Sequence, residues 1–204
     1  MTGTNKKMNP ILKEILSWIL LVAAALFIST LINSQVLSLA TVKEVSMQDT
    51  LYENQTLVIN RLAYRNRQPR TRDIIVFYQE REIGSFPQEF LRSLGNMNPF
   101  KRSENERRKR LVKRVIGSPG DVIDIADGHV YLNGEMLDEP YVKGLTFRDS
   151  FELPVTVGEN QLFVMGDNRE KSKDSRTFGL IDLSHVEGKV VFRLFPVNKF
   201  GRVK

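Results

Sequence analysis

Arg110-Leu-Val-Lys-Arg-Val-Ile116, Gly117-Ser-Pro-Gly120, Asp121-Val-Ile-Asp-Ile125 and His129-Val-Tyr-Leu132-Asn133-Gly134-Glu135-Met-Leu137 follow one another almost without a break. The runs between the turns are three to seven residues long, the longer ones rich in Val and Ile, and Gly, Pro and Asn stand between them. Runs of that length and composition read as strands. Asn133-Gly134 between two alternating runs is the strongest short-range signal for a two-residue hairpin of type I′. No helical period survives across the stretch, so this part of the chain folds as antiparallel sheet.

The same reading extends outward. Leu57-Val-Ile-Asn60, Asp73-Ile-Ile-Val-Phe-Tyr78 and Gln161-Leu-Phe-Val-Met165 are further short β-rich runs, and Lys189-Val-Val-Phe-Arg-Leu-Phe195 is expected to close the sheet system. Thr41-Val-Lys-Glu-Val-Ser-Met47, led into by Val36–Ala40, reads as an extended segment with alternation. The fold class is therefore mainly β. Residues 84–110, with Gly, Pro, Asn and charges, read as an inserted basic loop with one short helix near Pro87 to Leu94.

Residues 15–32 contain no charge. As a helix they would span roughly 27 Å, close to the hydrocarbon thickness of a bilayer. A membrane anchor, a cleaved leader and a buried core helix compete for this run. It is longer than the apolar core of a leader and ends in Asn33-Ser-Gln-Val36 rather than a small-residue cleavage site, which favours the anchor. The domain plan is a cytoplasmic N-terminus over 1–14, an anchor over 15–33 and an extracytoplasmic body over 34–204. Lys6, Lys7 and Lys13 precede the anchor, which puts the N-terminus inside and the body outside. The chain has no cysteine, in keeping with an exported domain that does not rely on disulfides.

The formal net charge is +6, and Lys101–Arg114 alone holds eight basic and two acidic residues. No aromatic residue interrupts that stretch, whereas a platform for single-stranded nucleic acid needs interleaved rings. Nucleic acid is not an expected partner. The stretch reads as a solvated basic loop, or as a contact for anionic lipid headgroups near the anchor.

Chemistry is narrowed by elimination. Without cysteine there is no thiol nucleophile or thiolate metal site. The two histidines, His129 and His185, stand in no metal-ligand pattern, and neither a G-x-S-x-G elbow nor a phosphate-binding P-loop occurs. Gly166–Gly179 (Gly166-Asp-Asn-Arg-Glu-Lys-Ser-Lys-Asp-Ser-Arg-Thr-Phe-Gly179) carries seven charges in fourteen residues, but Arg169, Lys171, Lys173 and Arg176 oppose a cation held by Asp167, Asn168 and Asp174. No metal or organic cofactor is expected. A serine activated without histidine remains, and a buried lysine can activate it because desolvation disfavours the ammonium form. Lys113 shares a strand face with Leu111 and Val115. From the strand alone the favoured reading is an ordinary edge lysine pointing to water.

Ser46-Met47, Asp73-Ile-Ile-Val-Phe77, Lys113-Arg-Val-Ile-Gly-Ser-Pro-Gly-Asp121 and Gly166–Gly179, in this order after an apolar N-terminal run, resemble the sequence boxes of bacterial type I signal peptidases. The resemblance covers nearly the whole chain from the anchor onward. It implies a membrane-anchored serine endopeptidase of signal-peptidase-like fold, acting on signal peptides of exported preproteins after small residues. Ser46 is then the nucleophile and Lys113 the general base. The backbone N–H of Ser46 serves as an oxyanion donor, Ser172 orients the lysine amine, Asp174 and Arg176 form a supporting ion pair, and Gly166, Asp167 and Asn168 shape the turn. Two positions depart from the pattern. Glu44 stands where Gly or Ser is frequent, and a carboxylate there is unfavourable beside a developing oxyanion unless it points away. Asp49 stands where Pro is common. These departures motivate a rival reading, an assembly factor for secreted or surface proteins that keeps the fold without cutting.

Overall fold

The computed structural model describes residues 9–79, 87, 88, 91 and 110–203, with backbone only for 30–35. A single helix, Pro10–Gln35, comes first and contains the apolar run. Its side chains face outward along the apolar stretch: Trp18 is 63% exposed, with Ile15, Ile19, Leu20 and Leu21 similarly open. An unbroken apolar sequence with both Cβ-branched and aromatic groups directed away from protein has no core of its own to enter.

The helix leads into β1 (Leu37–Thr41), followed by β2 (Thr56–Asn60), β3 (Ile74–Tyr78), β4 (Arg110–Gly117), β5 (Val122–Ala126), β6 (His129–Leu132), β7 (Glu135–Met136), β8 (Val155–Thr156), β9 (Gln161–Met165), β10 (Ile181–Asp182), β11 (Val186–Phe195) and β12 (Gly201–Arg202). The larger sheet runs β1-β2-β11-β3-β4-β9-β10, with β12 on β11, and the smaller runs β7-β6-β5-β8. Every strand pair is antiparallel. The fold is mainly β, as the strand pattern predicts. Asn133 and Gly134 have φ of 55° and 86°, the left-handed pair that a type I′ hairpin demands.

Strand alternation distributes three cores. Ile74 and Val76 of β3 join Met47, Leu51, Leu57 and Ile59 on one side. Ile75 and Phe77 join Leu111 and Val115 of β4 with Leu162 and Val164 of β9 on the other. Ile116, Phe163 and Met165 pack with Ile123, Ile125 and Val130 of the smaller sheet. All five residues of β3 are buried, so this strand is covered on both faces and reads as a continuous apolar run.

Two expectations are corrected. The extended segment expected through Met47 ends at Thr41, and Val45–Met47 is a single tight helical turn. Burial of Met47 and Leu51 in the first core pulls the chain round, and the Leu51 amide donates to the Met47 carbonyl at 2.7 Å. The strand expected to close the sheet, Lys189–Phe195, lies within it: β11 pairs β2 on one edge and β3 on the other. Of the helix expected near Pro87 to Leu94, Pro87, Gln88 and Leu91 are helical; the remainder, and the basic loop up to Arg110, lies outside the described residues.

The large sheet curls. In strand order β1 is four places from β4, yet Arg110 at the start of β4 donates from Nη1 to the Leu39 carbonyl of β1 at 3.2 Å. This closure brings the chain leaving β1 against the middle of β4.

Candidate active site

Beyond β1 the chain is tied back to β2 by the Val42 amide, which donates to the Gln55 carbonyl at 2.9 Å. Glu44 is extended and exposed, and the helical turn begins at Val45. Ser46 sits in that turn, 5% exposed. Lys113 comes from β4, opposite Ile75 of β3, and is 1% exposed. Its face is the one that alternation predicts, since Leu111 and Val115 belong to the same apolar cluster as Ile75. Lys113 Nζ donates to Ser46 Oγ at 2.6 Å. The water-facing alternative for Lys113 is thereby excluded.

The charged loop after β9 wraps this pair. The Asn168 amide donates to the Ser46 carbonyl at 3.0 Å, and Asn168 Nδ2 donates to the Val45 carbonyl at 3.2 Å. The turn bearing Ser46 is held at two consecutive carbonyls by one residue. Gly166 lies between the Ser46 main chain and Ser172: a Cβ added there would overlap the Ser46 carbonyl and the Ser172 hydroxyl. Only glycine permits that approach. Ser172 Oγ is buried and has no hydrogen-bond partner among the described residues. An orphaned buried hydroxyl is uncommon and calls for an explanation.

Asp174 and Arg176 stand together as expected. Arg176 donates to Asp174 from Nε and Nη2, both at 2.9 Å, and the pair is buried. Asp174 also accepts the Gly166 amide at 3.0 Å and caps the helical turn Ser175–Phe178 through the Arg176 amide at 3.2 Å. One carboxylate therefore fixes the glycine that Ser46 and Ser172 crowd from either side.

Asp167 is more than a turn former. It receives both Arg114 Nε and Nη2 at 2.8 Å in a two-pronged pair that is almost completely buried. Thr50 Oγ1 donates to the same carboxylate at 2.5 Å. The Arg114 guanidinium lies 3.8 Å from the ring centre of Tyr141, and Tyr141 donates to Glu139 at 2.9 Å. Glu139 in turn accepts two bonds from Arg169, at 3.0 and 2.5 Å, while Arg169 Nε donates to the Gly166 carbonyl at 3.1 Å. Burial, then the neighbouring Glu139 carboxylate, pushes the Tyr141 phenol well above its ordinary range. Sequence reasoning missed Arg114, Glu139, Tyr141 and the pairing of Arg169. The available signal was Lys113-Arg114 itself: two successive cations in a strand whose apolar residues occupy both parities must both be buried, on opposite faces.

The two departures fall at the rim. Glu44 is exposed rather than enclosed with Ser46. Asp49, also exposed, accepts Lys143 Nζ at 3.0 Å, and that hydrogen bond holds its carboxyl below the usual carboxylate range. Among the described residues no three His, Cys, Asp or Glu side chains stand together in a way that could hold a metal ion.

Residues 15–195 match the family described as signal peptidase, peptidase S26. Signal peptidase IB of Staphylococcus aureus (strain COL) is 31% identical over 92% of this chain and 93% of its own length. A probable signal peptidase I-2 of Synechocystis is 34% identical over 76% of this chain and 62% of its own length. The crystal structure of a signal peptidase I from Enterococcus faecalis V583 is similar at 27% identity and a TM-score of 0.42, covering 61% of this chain and 97% of that one. The match begins inside the N-terminal helix and runs to the last residue of β11, and by it the chain belongs to the signal peptidase family, peptidase S26.

Proposed function

We propose that this protein is a membrane-anchored endopeptidase that removes signal peptides from exported preproteins, with Ser46 as nucleophile and Lys113 as general base. The observation that carries the reading is the 2.6 Å contact between Lys113 Nζ and Ser46 Oγ, with both residues buried. Burial disfavours the ammonium form of a lysine. A neutral amine takes the Ser46 hydroxyl proton as Oγ attacks the scissile carbonyl. The new C–O bond gives a tetrahedral oxyanion, for which the Ser46 backbone N–H is the assigned donor. Lys113 passes the proton to the leaving amine as the C–N bond breaks, leaving an acyl ester on Ser46. It then takes a proton from water, which attacks the ester, and the proton returns to Ser46 as the acyl group departs.

Ser172 Oγ, buried and without a hydrogen-bond partner among the described residues, lies close to Gly166 as the Ser46 carbonyl does, which supports its role in orienting the amine as Lys113 shuttles the proton. Exposure of Glu44 relieves the objection that its carboxylate faces the oxyanion. The outward-facing apolar helix Pro10–Gln35 supports anchoring in a bilayer, with Lys6, Lys7 and Lys13 inside and the β domain outside. Small residues such as alanine at the first and third positions before the cut complete the substrate class. The non-cutting assembly role is not favoured, because Ser46, Lys113 and their buried surroundings are intact.

The test is incubation of the detergent-solubilised full chain with a panel of preproteins, the cut mapped by mass spectrometry. One cut after a small residue is expected, absent with Ser46→Ala. Undiminished cutting by Ser46→Ala would overturn the assignment.

A further inference from the structure

β4 is paired to β3 over Arg110–Arg114, whereas β9 joins its other edge only from Arg114 onward. Among the described strands nothing pairs with the Arg110–Lys113 edge on that side. An extended peptide can add a strand there by backbone hydrogen bonds, as unpaired edges invite. The edge is short. Arg110 precedes Lys113 by three residues, about 10 Å of strand. At its far end the Arg110 side chain crosses to the edge of β1, donating from Nη1 to the Leu39 carbonyl at 3.2 Å and from Nη2 to Ser38 Oγ at 3.4 Å.

The crossing is braced from the buried side. Glu187 of β11, whose side chain is 3% exposed, lies 2.8 Å from Arg110 Nη2, an ion pair without hydrogen-bond alignment, and accepts Ser38 Oγ at 2.7 Å. Arg110 Nε is itself buried and has no acceptor among the described residues. The Arg110 side chain is 29% exposed. Glu187 is enclosed while the Arg110 side chain is partly open, so a side chain arriving along the edge of β4 meets Arg110 rather than the carboxylate.

The direction of approach follows from the anchor. The helix Pro10–Gln35 runs straight into β1, which makes Leu37–Leu39 the end nearest the helix. A peptide whose apolar segment lies in the same bilayer enters from that end and passes Arg110 before reaching Ser46. Three extended residues fill the interval between Arg110 and Lys113, and the fourth residue before the cut lies at the guanidinium.

We propose that Arg110 is a specificity-determining residue: it ends the extended substrate groove three residues upstream of the cut and selects against a basic side chain at the fourth. The proposal rests on the Ser46–Lys113 reading for the position of the cut. Like charges brought together at a partly exposed site cost enough for about a tenfold discrimination.

The test uses the full chain in detergent and three peptides identical except for Lys, Ala or Glu at the fourth position before the cut. Within one enzyme preparation the ratio of kcat/KM between peptides is independent of how much enzyme is folded. The Lys peptide is expected to be about tenfold poorer than the Ala peptide, with the Glu peptide at least as good, and the gap is expected to narrow in about 1 M salt, where the Debye length falls to about 3 Å. Arg110→Gln is expected to bring the Lys-to-Ala ratio close to one, and Arg110→Lys to keep it. Equal handling of Lys and Glu peptides by the wild type, or an unchanged ratio in Arg110→Gln, overturns the proposal. Failure of the wild type to cut any of the three peptides, or cutting that survives Ser46→Ala, instead strikes the Ser46–Lys113 reading.

Discussion

Lys113 Nζ and Ser46 Oγ are 2.6 Å apart although 67 residues separate them in sequence. Three devices hold that distance: strand pairing sets Lys113 opposite Ile75, Asn168 clamps the two carbonyls of the Ser46 turn, and Arg110 draws β1 onto β4. Neither residue depends on its immediate sequence neighbours for the contact.

A general base must release its proton, and charge alone does not suffice. Lys113→Arg retains a cation but carries a group that cannot be deprotonated in a protein. It is expected to lower kcat about a thousandfold or more, as much as Lys113→Ala does, by the scale of lost nucleophile activation. Preprotein cleavage by both variants, compared with their thermal unfolding, checks this; substantial activity in Lys113→Arg would show that only the charge matters.

Gly166→Ala places a methyl group against the Ser46 carbonyl and the Ser172 hydroxyl. Overfilling a packed site costs about 1–3 kcal/mol. Here the displaced atoms include the backbone of Ser46, the proposed nucleophile, so loss of kcat is expected to exceed what the lowered Tm accounts for. Scanning calorimetry and cleavage assays on one preparation separate the two effects.

The Arg114–Asp167 pair supplies a stability prediction. Asp167→Ala leaves a guanidinium buried without its carboxylate, a change worth about 3–5 kcal/mol of destabilisation. Removing both charges in Arg114→Met/Asp167→Leu is expected to recover part of that loss in urea unfolding. If the double variant is no more stable than Asp167→Ala, the cost lies in packing rather than in the unpaired charge.

Alkaline behaviour follows from two phenols. Tyr64, which donates to Asp73 at 3.0 Å, and Tyr141 are both raised above the ordinary phenol value of 10.0, chiefly by burial and then by the adjacent carboxylates. A raised folded value means the unfolded chain gives up these protons first. Their contribution to stability is therefore complete below pH 10.0 and declines as the pH rises beyond it. Ultraviolet titration of phenolate is expected to find Tyr64 and Tyr141 ionising only as the protein unfolds, and Tyr64→Phe and Tyr141→Phe each to remove one such late-titrating phenol. Early titration of both would refute it.

Strand identity was legible wherever alternation and turn chemistry agreed, as at β5–β6 and the Asn133-Gly134 hairpin. The turn at Val45–Met47 was not, because burial of Met47 and Leu51 against distant strands overrides a local preference for extension. The central place of β11 was equally hidden: a strand's sequence records which faces it buries, while its neighbours are set by long-range pairing. At the site, Ser46, Lys113, Ser172, Asp174 and Arg176 came from family resemblance; Ser46, Ser172 and Asp174 lie against Gly166, with Lys113 bonded to Ser46 and Arg176 to Asp174. Glu139 and Tyr141 lie outside the quoted boxes and bear no local mark of a partner.

The position of β11 has a consequence for how the enzyme comes into being. β1 and β2 carry the chain that presents Ser46, β3 and β4 carry Lys113, and β2 and β3 do not pair with each other; β11 joins them. It also follows β1–β10 in the chain. Until residues 186–195 are paired, Ser46 and Lys113 belong to separate pieces of sheet. A chain whose β11 has not yet paired thus lacks the proposed Ser46–Lys113 dyad, and on the proposed function it is inert toward other chains and toward its own apolar helix.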